Sequence, residues 1–266
     1  MTQVMNTALS AILVAQTAIQ NSAHNIANSK TDGFKRLEVQ TSDLFYNNIK
    51  RAGIYENADD GKRPVGAQIG SGARIDGIYR ILEIGAPKST GNPLDIALVG
   101  PGYFAIALPN NRTGYTRNGA FQIDPDTRGI VTLRGEPLTE PEIVIPDDVQ
   151  DLNDITIAPD GTVTAKNRAN PGQADTVLGQ IQLYTFSNER GLELGPNNML
   201  FETDASGEPI DVADQDRSFL QKNLETSTVQ AVDELTKMIS YQRLYELAMS
   251  YIKADSDMEK KLTEIS

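Results

Sequence analysis

Residues 3–28, QVMNTALSAILVAQTAIQNSAHNIAN, decide how the rest of the chain is read. Apolar side chains fall at Met5, Leu9, Ile12, Ile19, Ala23 and Ile26, in alternating steps of 4 and 3 residues, with Gln16 alone out of pattern. A repeat averaging ~3.5 residues keeps one helix face apolar and is the spacing of a coiled-coil seam. Ala8, Ala11, Ala15 and Ala18 add helix propensity and allow a second helix to come close. The turn formers Asn28-Ser29-Lys30-Thr31-Asp32-Gly33 close the segment. The pattern predicts a helix over residues 3 to 28, about 40 Å long at ~1.5 Å per residue.

The other end of the sequence mirrors it. From Thr226 to Ile265 there is neither Pro nor Gly, and Leu244, Ala248, Tyr251, Asp255, Met258, Leu262 and Ile265 again alternate by 4 and 3. Val229, Val232, Leu235, Met238 and Ile239 supply a neighbouring apolar face. Thr226, Ser227 and Thr228 offer capping hydroxyls, and Asp233 and Glu234 suit the positive end of the helix dipole. A second helix, of roughly 38 residues and about 57 Å, is expected.

Between the helices the period changes to two. Residues 95–99, 102–108, 129–133, 143–145, 155–157, 162–165 and 178–184 read as short strands. Pro109-Asn110-Asn111, Pro159-Asp160-Gly161 and Ala205-Ser206-Gly207 read as the turns between them. Residues 47 to 75 are polar, Gly-rich and poor in apolar anchors, so this stretch is expected to be flexible and to order only against a partner. The fold class is therefore α+β.

Composition narrows the function. The chain has 266 residues, 39% of them hydrophobic, enough for a sizeable core, while 21 Gly and 13 Pro favour a turn-rich middle. A formal net charge of −12 with scattered Lys and Arg excludes a phosphate-binding patch, and so a nucleic-acid partner. Cysteine is absent, which removes disulfides, thiolate metal sites and Cys nucleophiles. No apolar run reaches the ~20 residues of a membrane span. The opening MTQVMNTALSAILVAQ lacks the basic segment of a secretory signal, so the chain is expected either to stay in the cytoplasm or to leave by a route without a cleaved signal.

The catalytic inventory is close to empty. His24 is the sole histidine, with no His or Cys partner for a metal and no GxSxG elbow for a triad. Asp124-Pro125-Asp126-Thr127-Arg128-Gly129 imitates the start of a calcium loop, but Arg128 takes a ligand position and the twelfth residue is Gly135. The pairs Asp59-Asp60 and Asp147-Asp148 sit in polar loops and read as solvated charge. Gly70 and Gly72 follow no hydrophobic strand and open no helix, as a phosphate loop would require. No catalytic residue, cofactor or metal is assigned. The helices could pack on their own β domain like ordinary amphipathic helices. Their length, their ~3.5-residue spacing and their pairing from opposite ends of the sequence favour an assembly protein instead.

Residues 22–36, SAHNIANSKTDGFKR, resemble the ANNLAN…T.GFKR signature of bacterial flagellar rod and hook proteins, with His24 in place of an Asn and Ile26 in place of a Leu. Within that family, QIGSGAR (68–74), NPLDIALVG (92–100) with Gly102-Tyr103-Phe104, and YTRNGAF (115–121) look like its distal-rod branch. So do LETSTVQAVDEL (224–235) and MISYQRLYE (238–246). The resemblance spans almost the whole chain.

It implies a structural subunit that leaves through the flagellar type III export apparatus without a cleaved signal and polymerises helically into a torque-transmitting rod around the export channel. Implied partners are further copies of itself, the proximal rod proteins, the hook protein, and the bushing rings of peptidoglycan and outer membrane. The implied organisation is a coiled-coil helical domain from residues 1–34 and 224–266, an extended linker region from 35–85 and 205–223, and a central all-β domain over 86–204. Assembly contacts are expected from Met5, Leu9, Ile12, Ile19, Ala23 and Ile26, and from Val232, Leu235, Ile239, Leu244, Ala248, Tyr251, Met258 and Leu262. Asn25, Ala27, Asn28, Thr31, Gly33, Phe34 and Lys35 carry the family motif. A proximal rod or hook subunit is the nearest rival. A β-rich surface carbohydrate-active protein is the remote one, and would need an exposed carboxylate or aromatic cluster.

Overall fold

A computed structural model describes residues 3–50, 66–109, 112–139, 143–146, 151–166 and 175–265. The chain divides into two compact units, each assembled from separated stretches of sequence. Helix and strand are largely segregated along the sequence, as in the α+β class. Among the described residues no helix is long and apolar enough to cross a membrane.

The first unit takes Met1–Ala27, Leu37–Ile81 and Gln230–Ser266. It holds helix α1 (Gln3–Ala27), strands β1 (Leu37–Asp43), β2 (Tyr46–Lys50), β3 (Ala67–Gly70) and β4 (Ala73–Arg80), and helix α2 (Ala231–Ile265). β1 pairs antiparallel with β4, Leu37 opposite Arg80, and β2 pairs antiparallel with β3, Tyr46 opposite Gly70. The turn between β3 and β4 rests on α1. There Ser10 Oγ accepts the Ala73 amide at 3.3 Å, and Gly72, at φ +114, leaves no room for a Cβ beside that hydroxyl.

The second unit takes Asn28–Arg36 and Leu82–Val229. Its strands are β5 (Pro87–Ser89), β6 (Ile96–Leu98), β7 (Phe104–Ala107), β8 (Thr113–Thr116), β9 (Phe121–Ile123), β10 (Ile130–Thr132), β11 (Ile155–Ile157) and β12 (Thr162–Ala165). The chain continues through β13 (Thr176–Gln180), β14 (Tyr184–Thr185), β15 (Glu193–Leu194), β16 (Leu200–Phe201), β17 (Ile210–Asp211), β18 (Phe219–Gln221) and β19 (Asn223–Glu225). The largest sheet has the order β15-β16-β8-β7, a second runs β11-β12-β13, and the rest pair in twos. One core gathers Ile96, Leu98, Phe104, Phe121, Ile155, Val163, Ile181, Leu183 and Phe219, with Phe104 and Phe121 edge to face at 5.0 Å. A smaller core holds Tyr103, Tyr115, Phe186, Leu192 and Leu200.

Several expectations need correction. α2 spans Ala231–Ile265, 35 residues against the roughly 38 expected, and is not capped by Thr226 to Thr228, because those residues are already paired. The Thr226 amide donates to Ala86 O, the Thr228 amide donates to Phe34 O, and Thr228 Oγ1 accepts the Arg36 amide, so those hydroxyls do not cap the helix. Ile143–Ile145 makes only an isolated bridge, Val144 to Gly129, while Ile143 and Ile145 fill the core. The expected 178–184 strand is interrupted after Gln180, where Ile181 and Leu183 both turn into the core. The polar stretch 47 to 75 carries the paired strands β2 and β3 on its described flanks, and residues 51–65 lie outside the described residues. So do Asn110, Asn111 and the two acidic pairs Asp59-Asp60 and Asp147-Asp148.

Candidate assembly site

α1 and α2 run antiparallel. Ala18, Asn21 and Ser22 lie by Glu234, Lys237 and Tyr241, and Thr7, Ala8 and Ala11 lie by Leu244, Leu247, Ala248 and Tyr251. The buried row of α1 is Ala8, Ile12, Ala15, Ala18, Ser22 and Asn25. Alanine makes up half of it because a small side chain lets two backbones approach, and most of the larger apolar residues are then displaced to the flanks.

That displacement governs where the expected assembly residues stand. Ile12 and Ala248 are buried, and Met5, Ile19 and Ile26 are half-buried. Leu9, Ala23, Leu235, Ile239 and Leu244 are exposed, as are Val232 at 75%, Tyr251 at 63% and Met258 at 57%. Leu262 has no described side-chain placement. Leu13, Leu247 and Met249 are also exposed, and the single-stripe reading of the sequence missed them. A second signal was available in the apolar residues one step off the stripe. An open apolar groove of about 640 Å³ lies between the helices and β3, lined by Ala8, Ala11, Ile69, Leu244, Leu247 and Tyr251 among others.

At its other end the helix pair is polar. Asn25, fully buried, donates through Nδ2 to Leu37 O at 2.8 Å and to Glu234 Oε2 at 3.1 Å, and its Oδ1 accepts the Leu37 amide at 2.9 Å. Asn21 Nδ2 also donates to Leu37 O at 2.8 Å. Glu234 sits in the first turn of α2, where its charge is favoured, and accepts Lys237 Nζ at 2.9 Å. Burial pushes its carboxyl up, but hydrogen bonds from Asn25, Lys237 and Ser22 and the charge on Lys237 outweigh that and hold it below the usual glutamate value.

The family-motif residues beyond α1 belong to the second unit and do structural work there. Thr31 Oγ1 donates to Asn28 Oδ1, and Phe34 is buried. Gly33, at φ +68, donates its amide to Glu225 O at 2.7 Å in a space where a Cβ would meet the Arg117 backbone at 2.9 Å. Lys35 Nζ donates to Glu225 Oε1 and to Glu83 O. Arg117 Nε donates to Glu225 Oε2 at 2.8 Å, and Gly85 donates its amide to Oε1 at 2.7 Å. Glu225 and Arg117, which bind this cluster together, were not singled out from sequence. Ala27, at the end of α1, is exposed.

The chemistry weighed from sequence is placed as follows. His24 is exposed on α1. Asp124 accepts Thr127 Oγ1 and the Asp126 amide, which hold its carboxyl below the usual aspartate value, and Arg128 Nε and Nη2 donate to Ile145 O and Pro146 O. The stretch is a turn. Among the described residues no three His, Asp or Glu gather as a metal site would need.

Two long helices presenting this much apolar surface define a structural interaction protein. The profile described as "Flagellar hook protein FlgE/F/G D1 domain" matches residues 97–165, and that described as "Flagellar basal body rod FlgEFG protein C-terminal" matches residues 220–265. The flagellar basal-body rod protein FlgG of Caulobacter vibrioides is 40% identical, with 99% of each chain covered. Its namesake from Borreliella burgdorferi is 34% identical over 95% of this chain and 94% of its own. The rod protein FlgF of Escherichia coli is 33% identical over 63% of this chain and 66% of its own. The chain belongs to the FlgG family of flagellar basal-body rod proteins.

Proposed function

We propose that the protein is a non-enzymatic structural subunit of the bacterial flagellar basal body, polymerising helically into the distal rod that transmits torque to the hook and encloses the export channel. The observation that carries this is the exposed apolar surface of α1 and α2 in a chain that aligns with FlgG relatives from end to end. Residues such as Val232, Leu247 and Tyr251 gain burial only when other subunits cover them. The helical domain (1–34, 224–266) then forms the polymer's inner layer, with the linker region (35–85, 205–223) and the β domain (86–204) outside it. Further partners in this reading are the proximal rod proteins, the hook protein, the bushing rings and the type III export apparatus. The location is the periplasm-spanning rod.

Val232→Asp tests it. Val232 lies in the first turn of α2 and is exposed, so an acidic residue there leaves the helix intact. The expected result is a chain of unchanged helicity whose cells do not swim and whose basal bodies stop short of the distal rod. Wild-type swimming and complete rods would sink the proposal.

A further inference from the structure

The seam between α1 and α2 has a property that its buried residues make plain. Ala8, Ala15 and Ala18 make up half of the six-residue α1 row, and such small side chains offer only shallow knobs to tell one turn from the next. Ile12 is the one large apolar side chain buried in that row. The apolar part of the seam holds the helices together but discriminates weakly between registers.

Register needs groups that fit in one position only. Asn25 and Glu234 are such groups. Both are buried at the polar end of the seam, and the Asn25 amide is shared between the Leu37 backbone and the Glu234 carboxylate. The strand beginning at Leu37 thus fastens Asn25, and Asn25 in turn meets Glu234. A slide of one heptad would carry Glu234 about 10 Å along the axis at ~1.5 Å per residue. It would lose the bonds from Asn25 and Ser22 and keep only that from Lys237 on its own helix, and a buried carboxylate with fewer partners is costly.

We infer that the Asn25–Glu234 pair is the register lock of the helix pair, and that it selects which apolar residues of α2 stand ready for the next subunit. Glu234 and Asn25 are positioning residues in this role, acting through the helices they align. The consequence for assembly rests on the proposed rod function, but the lock itself is a property of one chain and can be tested without a rod.

The test uses the full 266-residue chain. It has no natural cysteine, so Leu13→Cys on α1 and Thr236→Cys on α2, both exposed positions, would carry the only two spin labels. With Asn25 and Glu234 intact, pulsed dipolar spectroscopy is expected to give one narrow distance. Glu234→Gln retains an oxygen that can accept from Asn25 and is expected to keep that distance. Glu234→Leu removes the acceptor while preserving an apolar seam, and a second distance population displaced by about 10 Å is expected with far-ultraviolet helicity unchanged. One unchanged distance in Glu234→Leu overturns the inference. Loss of helicity in Glu234→Leu overturns it too, since the pair would then supply stability rather than register, and so does a broad distribution in the chain with Asn25 and Glu234 intact. None of these results depends on rod assembly, which the Val232→Asp experiment reads separately.

Discussion

Glu225 shows what one residue does for the second unit. Its carboxylate is 1% exposed and faces two buried cations, Lys35 and Arg117, as well as the Gly85 amide. One negative charge therefore answers two positive ones, and the partners are not equivalent. Glu225→Ala would strand both cations in the interior, at a cost on the order of 3–5 kcal/mol. Lys35→Met leaves Arg117 still paired with Glu225, removes the surplus positive charge, and is expected to cost less. Urea unfolding read by amide exchange at Leu98, Phe104 and Phe219 would rank the two. A larger loss for Lys35→Met would show that Glu225 is not the centre of the cluster. The sequence made Lys35 visible through the family motif. Its partners Glu83 and Glu225 lie 48 and 190 positions further on, and no local pattern could join them to it.

At the scale of elements, legibility followed periodicity. α1 was expected over 3–28 and spans Gln3–Ala27, because an uninterrupted apolar repeat and a turn-forming end are both local signals. β1 to β4 were not read, because the apolar–polar alternation at Leu37-Glu38-Val39-Gln40 and Ala73-Arg74-Ile75-Asp76 lasts only four residues in each, no side chain of the four strands is buried, and every residue of β2 is exposed. The phase of the α1 seam was hidden for a related reason. Alanine counts weakly as apolar, so the eye follows Met5, Leu9 and Ile19 while the helices meet one step away at Ala8, Ala15 and Ala18. This distinction is measurable. Ala15 is 0% exposed, and Ala15→Leu is expected to cost about 1–3 kcal/mol by overpacking. Leu13, two residues earlier, is exposed at 54%, and Leu13→Ala is expected to stay within about 0.5 kcal/mol. Denaturation followed by far-ultraviolet dichroism, whose helical signal comes chiefly from α1 and α2, compares them. Equal losses would place the seam elsewhere.

For the whole molecule, the two units carry opposite pH limits. Glu234 belongs to the first unit and titrates below its ordinary value of 4.5. The unfolded chain therefore binds this proton first as pH falls, so the contribution of Glu234 is complete above 4.5 and is lost on passing down through the folded value. Tyr115 belongs to the second unit, where burial, the Glu202 charge and Tyr184 push its hydroxyl from 10.0 up to about 12. The folded state keeps the proton that the unfolded chain releases. Stability from Tyr115 is thus complete below pH 10.0 and declines as the pH rises towards about 12. With 36 acidic residues in the chain, only a comparison of variants isolates either group. Glu234→Gln is expected to flatten the acid limb of helix stability read by dichroism, and to leave the alkaline limb unchanged. Tyr115→Phe should do the reverse, flattening the alkaline limb read from methyl resonances of Leu192 and Leu200 in the same core. If either substitution moved both limbs together, the assignment of one pH limit to each unit would fail, and with it the picture of two cores held by separately titrating groups.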